Sequence, residues 1–148
     1  SMEIAILGLG CFWGPEIKFS KLDGIIKTEV GYCGGNNKQT TYKEVCSGNT
    51  NHAEVVKLDF DPKIISYQKI LEFFFDIHDP TTLDSQGPDF GSQYRSEIFY
   101  LNDNQKNIAE ETINKNNDRF SGKIVTKISL VKNYCAAEEY HQRYLEKR

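Results

Sequence analysis

Glu3-Ile4-Ala5-Ile6-Leu7-Gly8-Leu9, followed at once by Gly10-Cys11-Phe12-Trp13-Gly14-Pro15-Glu16, is the stretch on which the fold turns. Residues 3–9 are a short apolar run of the length expected for a buried strand. Gly10 breaks the run, and Pro15 suits the first turn of a helix, where no backbone N–H is needed. Glu16 falls where an acid complements the positive end of a helix. The helix is predicted to run to about residue 22, with Gly24 ending it. The opening unit is therefore strand, tight turn, helix, with Cys11 at the turn.

Similar punctuation continues outward. Residues 25–32 read as a second strand and 34–37 as a glycine loop. Residues 53–60 read as a third strand, stopped by Asp61-Pro62. Ser66 can cap a helix over 66–77, in which Tyr67, Ile70, Leu71, Phe74 and Ile77 recur at helical spacing. Residues 78–94 form a long polar loop, and such length is usually functional. Further expectations are a strand over 96–101, a polar helix over 103–117, an alternating fifth strand over 124–131 and a last helix over 136–147. Strands and helices intermix without strict βαβ alternation. This predicts an α/β fold in the broad, α+β sense: one domain over 1–148, with a mixed sheet and helices packed on it.

The 148 residues suffice for a core without covalent staples. A formal charge of −3 argues against a nucleic-acid binder, which carries a basic face. No apolar run reaches the ~18 residues of a membrane span, and no signal-peptide pattern opens the chain. The four cysteines, Cys11, Cys33, Cys46 and Cys135, include no C-x-x-C pair, which fits free thiols in the cytoplasm. His52, His78 and His141 are too scattered for a zinc site, so no metal is expected. A monomer is expected.

Three segments are candidates for chemistry. Cys11 sits at a helix N-terminus, which favours a thiolate; a small buried hydrophobe fits the position equally. Phe12 and Trp13, two large aromatics inside a glycine-flanked turn, are hard to bury on the same side, so at least one of them is expected to line a pocket. Glu54, in His52-Ala53-Glu54-Val55-Val56, is out of pattern at the start of an apolar strand. If buried it would hold its proton and could act as a general acid; otherwise it faces solvent. The third segment runs from His78-Asp79-Pro80 through Gln86-Gly87-Pro88-Asp89-Phe90-Gly91-Ser92-Gln93-Tyr94-Arg95-Ser96, and its polar side chains suit a substrate loop or a solvated one.

In order and spacing, GCFWGPE (10–16), GYCGG (31–35), TYKEVCSGNTNHAEVV (41–56), FDP (60–62), HDPTT (78–82), QGPDFGSQYRS (86–96) and AEEYHQRYL (137–145) resemble methionine sulfoxide reductase A, the peptide-methionine (S)-S-oxide reductases. The resemblance implies a two-layer sandwich of ferredoxin-like type. It implies reduction of the S epimer of methionine sulfoxide, protein-bound or free, one enzyme class serving each epimer. Cys11 would be the nucleophile that becomes a sulfenic acid. Phe12 and Trp13 would cage the substrate methyl. Glu54 would protonate the leaving oxygen, Tyr42 and Tyr94 would hydrogen-bond it, and Asp89 would help orient the site. No tightly bound cofactor is implied; an external thiol such as thioredoxin, glutaredoxin or glutathione would be the reductant. Many relatives carry resolving cysteines beyond the last helix, and no cysteine follows Cys135 here. Cys135 or Cys33 could attack the sulfenic acid. The one-cysteine route, with the external thiol acting directly, is preferred, and Cys46 is taken as structural. Competing expectations are a cysteine hydrolase pairing Cys11 with His52 or His78, and a redox sensor without turnover.

Overall fold

The computed structural model describes residues 1–148. In chain order the strands are β1 (Glu3–Leu9), β2 (Ile25–Cys33), β3 (Ala53–Phe60), β4 (Ser85–Gln86), β5 (Asp89–Phe90), β6 (Ser96–Tyr100), β7 (Lys127–Leu130) and β8 (Cys135–Ala136). The helices are α1 (Trp13–Ser20), α2 (Tyr42–Cys46), α3 (Tyr67–Asp76) and α4 (Asp103–Asn116). Six strands form one sheet in the order β7-β6-β1-β3-β2-β8, and β4 pairs with β5 separately. All neighbours in the main sheet are antiparallel except β6 and β7. The inner order β6-β1-β3-β2, with α1 after β1 and α3 after β3, is the β-α-β-β-α-β ferredoxin-like arrangement.

Strand alternation sorts side chains between two faces. Leu7, Val30, Val56, Leu58 and Ile98 point to one face, where they meet Phe19 of α1, Phe74 of α3 and Ala109 of α4 in the main core. Ile6, Cys33, Ala53, Val55 and Phe99 make a smaller core on the other face. All three longer helices thus cover one side, giving two layers. As the helical spacing implied, Ser66 caps α3: its hydroxyl accepts from the Lys69 N–H at 3.1 Å.

Three local expectations are corrected, and one helix is added. The helix expected over 136–147 is absent. Cys135 and Ala136 instead join the sheet against Tyr32 and Gly31, Glu138 is extended, a single 3₁₀ turn covers Glu139–His141, and Arg143 takes φ +50°. Residues 78–94 are not plain loop, because β4, β5 and a 3₁₀ turn (Ser92–Tyr94) fall inside them. The strand expected over 124–131 shortens to Lys127–Leu130. Helix α2 went unread although it opens with a full capping box: Thr41 accepts from the Glu44 N–H, and Glu44 accepts from the Thr41 N–H.

Candidate active site

Gly10 makes the turn that presents Cys11. Its φ of +96° is open to glycine, and a Cβ there would come within 2.8 Å of the Gln86 side chain. Phe12 caps α1 without a side-chain bond, so its N–H is free to look elsewhere. It donates to Glu54 Oε1 at 3.2 Å, joining the turn after β1 to β3. Register places Glu54 directly opposite Tyr32, on the same face as Val56 and Leu58. The out-of-pattern acid is therefore turned inward, and it is 1% exposed. Its Oε2 is buried without a partner.

Burial pushes the Glu54 carboxyl up to about 8; the Phe12 N–H opposes this and the Asp89 charge adds to it. At neutral pH the group is mainly a carboxylic acid. Burial also pushes the Cys11 thiol up, to about 11, against the Trp13 backbone amide, with the charges of Glu54, Asp89 and Cys46 contributing. The sequence-based expectation that the helix N-terminus favours a thiolate is overturned. A helix end is worth roughly 0.3–1 kcal/mol, less than one unit of pKa, and even the partial burial of Cys11 outweighs it.

The remaining site residues come from distant elements. Tyr94 ends the 3₁₀ turn before β6; burial raises its phenol to about 12, with charge from Glu54, Cys46, Asp89 and Cys11. Tyr42 opens α2, and burial raises its phenol as well. Asp89 lies in β5, close enough for its charge to act on Cys11, Glu54 and Tyr94. Cys11, Glu54, Tyr42, Tyr94 and Asp89 are thus linked electrostatically. The two aromatics separate: Phe12 is 1% exposed and packs beside Tyr32, while Trp13 stays half-buried.

Residues not assigned from sequence complete the surroundings. Glu138 accepts from the Tyr32 hydroxyl and the Tyr42 N–H, both at 2.8 Å, and so ties α2 to β2. His141 accepts a bond from the Trp13 indole, and Tyr144 stacks on that indole. All three lie in the 137–145 run that carries the family resemblance, which gives them no individual role.

The cysteines divide by position. Cys33 is fully buried in the core on the other side of the sheet, and its thiol donates to the Lys132 carbonyl at 3.4 Å. Cys135 faces the same side as Glu54, but Tyr32 stands between them, two strand spacings of about 4.8 Å having to be crossed. Cys46 is exposed at the end of α2, one turn from Tyr42, and its charge acts on Cys11. His52 and His78 are occupied elsewhere. His52 accepts from the Gly35 N–H and donates to the Asn37 carbonyl, while His78 bonds the Phe74 carbonyl and the Ser96 hydroxyl. Neither nitrogen pair is left for Cys11. No group of three or more metal-binding side chains gathers, and no helix is long and apolar enough to cross a membrane.

The chain matches the family described as "Peptide methionine sulfoxide reductase" over residues 3–148. It is 80% identical over 147 residues to "Peptide methionine sulfoxide reductase MsrA" of Pelagibacter ubique, covering 99% of this chain and 100% of that one. Among solved structures, reduced Mxr1 from Saccharomyces cerevisiae superimposes with a TM-score of 0.96 at 40% identity, over 99% of this chain and 86% of that one. Mxr1 solved in complex with Trx2 matches with a TM-score of 0.70 at 28% identity, over 97% of this chain and 84% of that one.

Proposed function

The chain belongs to the peptide methionine sulfoxide reductase family and is an oxidoreductase, and on that premise we propose that Cys11 reduces the S epimer of methionine sulfoxide, protein-bound or free, by way of a sulfenic acid. The observation that carries this is the buried Glu54 acid, bonded at Oε1 by the Phe12 N–H and unpartnered at Oε2, in the electrostatic neighbourhood of Cys11.

Glu54 Oε2 carries the proton and donates it to the sulfoxide oxygen, with the phenols of Tyr42 and Tyr94 donating beside it and Asp89 orienting the group. The Cys11 sulfur attacks the sulfoxide sulfur and forms an S–S bond to it. The protonated oxygen then passes to the Cys11 sulfur as the S–S bond and the substrate S–O bond break, and the sulfoxide gains the two electrons that the thiol loses. The thiol proton replaces the one Glu54 gave up, so the acid is restored. The half-buried face of Trp13 holds the substrate methyl, and Phe12 backs it from the core. A low-polarity wall beside an acid keeps that acid protonated, so cage and proton donor support one another.

An external thiol then condenses with the sulfenic acid and releases water, leaving a mixed disulfide that a second thiol displaces. Thioredoxin, glutaredoxin or glutathione can supply these thiols; the complex of Mxr1 with Trx2 supports the first. Free cysteines and thiol reductants suit the cytoplasm. Residues 1–148 act as one catalytic domain and as a monomer.

The test uses each sulfoxide epimer separately with dithiothreitol as reductant. Wild type should consume the S epimer alone, and Cys11→Ser should consume neither. Turnover by Cys11→Ser, or equal use of the R epimer, would sink the assignment.

A further inference from the structure

Arg95 leads into β6, and Glu97 lies two residues on. Alternation puts both on the sheet face of Phe99, opposite the face of Glu54. Both are buried, at 8% and 4% exposed. A buried ion pair is by itself weak evidence for stability, since apolar side chains of similar volume often serve as well. What a guanidinium adds over such side chains is several donors fixed in one rigid plane.

Each nitrogen of the Arg95 guanidinium donates to a different group. Nε donates to Glu97 Oε1 at 2.6 Å, and the Ser129 hydroxyl donates to Glu97 Oε2 at 2.5 Å, so the carboxylate is itself held. Nη1 donates to the Ser92 carbonyl at 2.8 Å, and Nη2 donates to the Asn51 carbonyl at 2.9 Å. Gly34 leaves room for the plane, because a Cβ there would come within 3.1 Å of Nη2.

The two carbonyls belong to the segments that carry a phenol and the acid of the site. Ser92 opens the 3₁₀ turn that ends on Tyr94, just after Asp89 in β5. Asn51, at φ +66°, stands just ahead of β3 and so of Glu54. In the sheet β1 lies between β3 and β6, so no ladder bond joins these two segments, and the guanidinium bridges them across it. We propose that Arg95 is a positioning residue, which from behind the sheet ties the turn bearing Tyr94 to the entry of the strand bearing Glu54 and so sets the spacing between the phenol and the acid that meet the sulfoxide oxygen. This rests on the sulfoxide reductase function proposed above. The spacing counts when the oxygen takes its proton, and a misplacement of about 1 Å can cost about 10²-fold. Trp13, which holds the substrate methyl, makes no bond to this cluster, so the loss is read in the rate more than in binding.

Removing the arginine alone strands Glu97, so the experiment combines Arg95→Met with Glu97→Met, which fills the space and leaves no charge unpaired. Saturated single-turnover formation of methionine from the S-sulfoxide should slow about 10–100-fold, with the half-saturating concentration within about twofold. The fall of kcat/KM above about 8 should stay in place, because Glu54 is buried on the other face. In a Tyr94→Phe background the same two substitutions should slow the reaction by less than about threefold, since the phenol they position is gone. Amide hydrogen exchange should quicken at residues 51–54 and 92–94. A wild-type single-turnover rate in the double variant would overturn the proposal, as would a loss carried by the half-saturating concentration, a displaced pH limb, an undiminished effect in Tyr94→Phe, or unchanged exchange in both segments. If the double variant does not fold, as thermal unfolding will show, Arg95→Lys decides on the same readouts: its ammonium keeps a positive charge beside Glu97 but lacks the fork that reaches both carbonyls. A wild type that reduces no sulfoxide would instead refute the proposed function and leave the exchange result standing by itself.

Discussion

Replacing Glu54 with glutamine separates its proton from everything else it does. The amide oxygen of the new side chain can still accept the Phe12 N–H that now reaches Oε1 at 3.2 Å, and the shape hardly changes. With the carboxyl near 8, about nine in ten molecules carry the proton at pH 7, so the substitution exchanges one neutral group for another. Folding at pH 7 should therefore survive, while the transferable proton is gone. General acid catalysis is worth about 10²–10⁴-fold, and Glu54→Gln should slow single-turnover formation of methionine by about 10²-fold or more. The pH dependence has a definite sign. The reactive form holds both the Glu54 and Cys11 protons, so kcat/KM of wild type should be level at neutral pH and fall about tenfold per unit above about 8. Glu54→Gln should lack that fall. Stability carries the same signature: the folded-state carboxyl is raised from 4.5 to about 8. Its contribution is complete below 4.5 and lost as pH rises toward 8, at roughly 1.4 kcal/mol per unit in that window. Wild type should lose stability relative to Glu54→Gln across that range in chemical denaturation. An unchanged single-turnover rate in Glu54→Gln, or a wild-type kcat/KM that keeps climbing through pH 8, would refute the reasoning.

The other predictions concern the rescue of Cys11 and the far face of the sheet. After one turnover without reductant, mass spectrometry with a sulfenic-acid trap should find the adduct on Cys11 and the other three thiols reduced. A Cys11–Cys33 or Cys11–Cys135 disulfide would contradict the separation imposed by the sheet and by Tyr32, and a Cys11–Cys46 disulfide would make the exposed cysteine the resolving one and refute direct attack by the external thiol. Arg95 and Glu97, both buried, pair at 2.6 Å, and Glu97 also accepts from Ser129 at 2.5 Å. Arg95→Met should cost about 3–5 kcal/mol in chemical denaturation by stranding the Glu97 charge, and Glu97→Met in the same chain should recover much of it. No recovery in the double variant would mean that the pair is not what the single substitution broke.

Strands β1 and β3 and helix α3 could be found in the sequence because their signals are local. A short apolar run between glycines, an alternating run closed by Asp61-Pro62, and Ser66 ahead of a helical stripe each need only neighbours in the chain. The segment 136–147 misled because its side chains answer to distant partners. Glu138 binds Tyr32 and Tyr42, His141 binds Trp13, and Gln142 binds Val30, so bonds across the fold outweigh a helix that would have satisfied only its own backbone. The sequence by itself determined which side chains could carry the chemistry, since a thiol at a turn, a carboxyl out of pattern and two phenols are visible as residue types at their positions. Where the protons sit was decided only by the tertiary structure. Burial raises the Cys11 thiol to about 11 and the Glu54 carboxyl to about 8, and with them it sets which group starts as the acid. Desolvation depends on what packs around a group from every element, and local spacing cannot hold that sum.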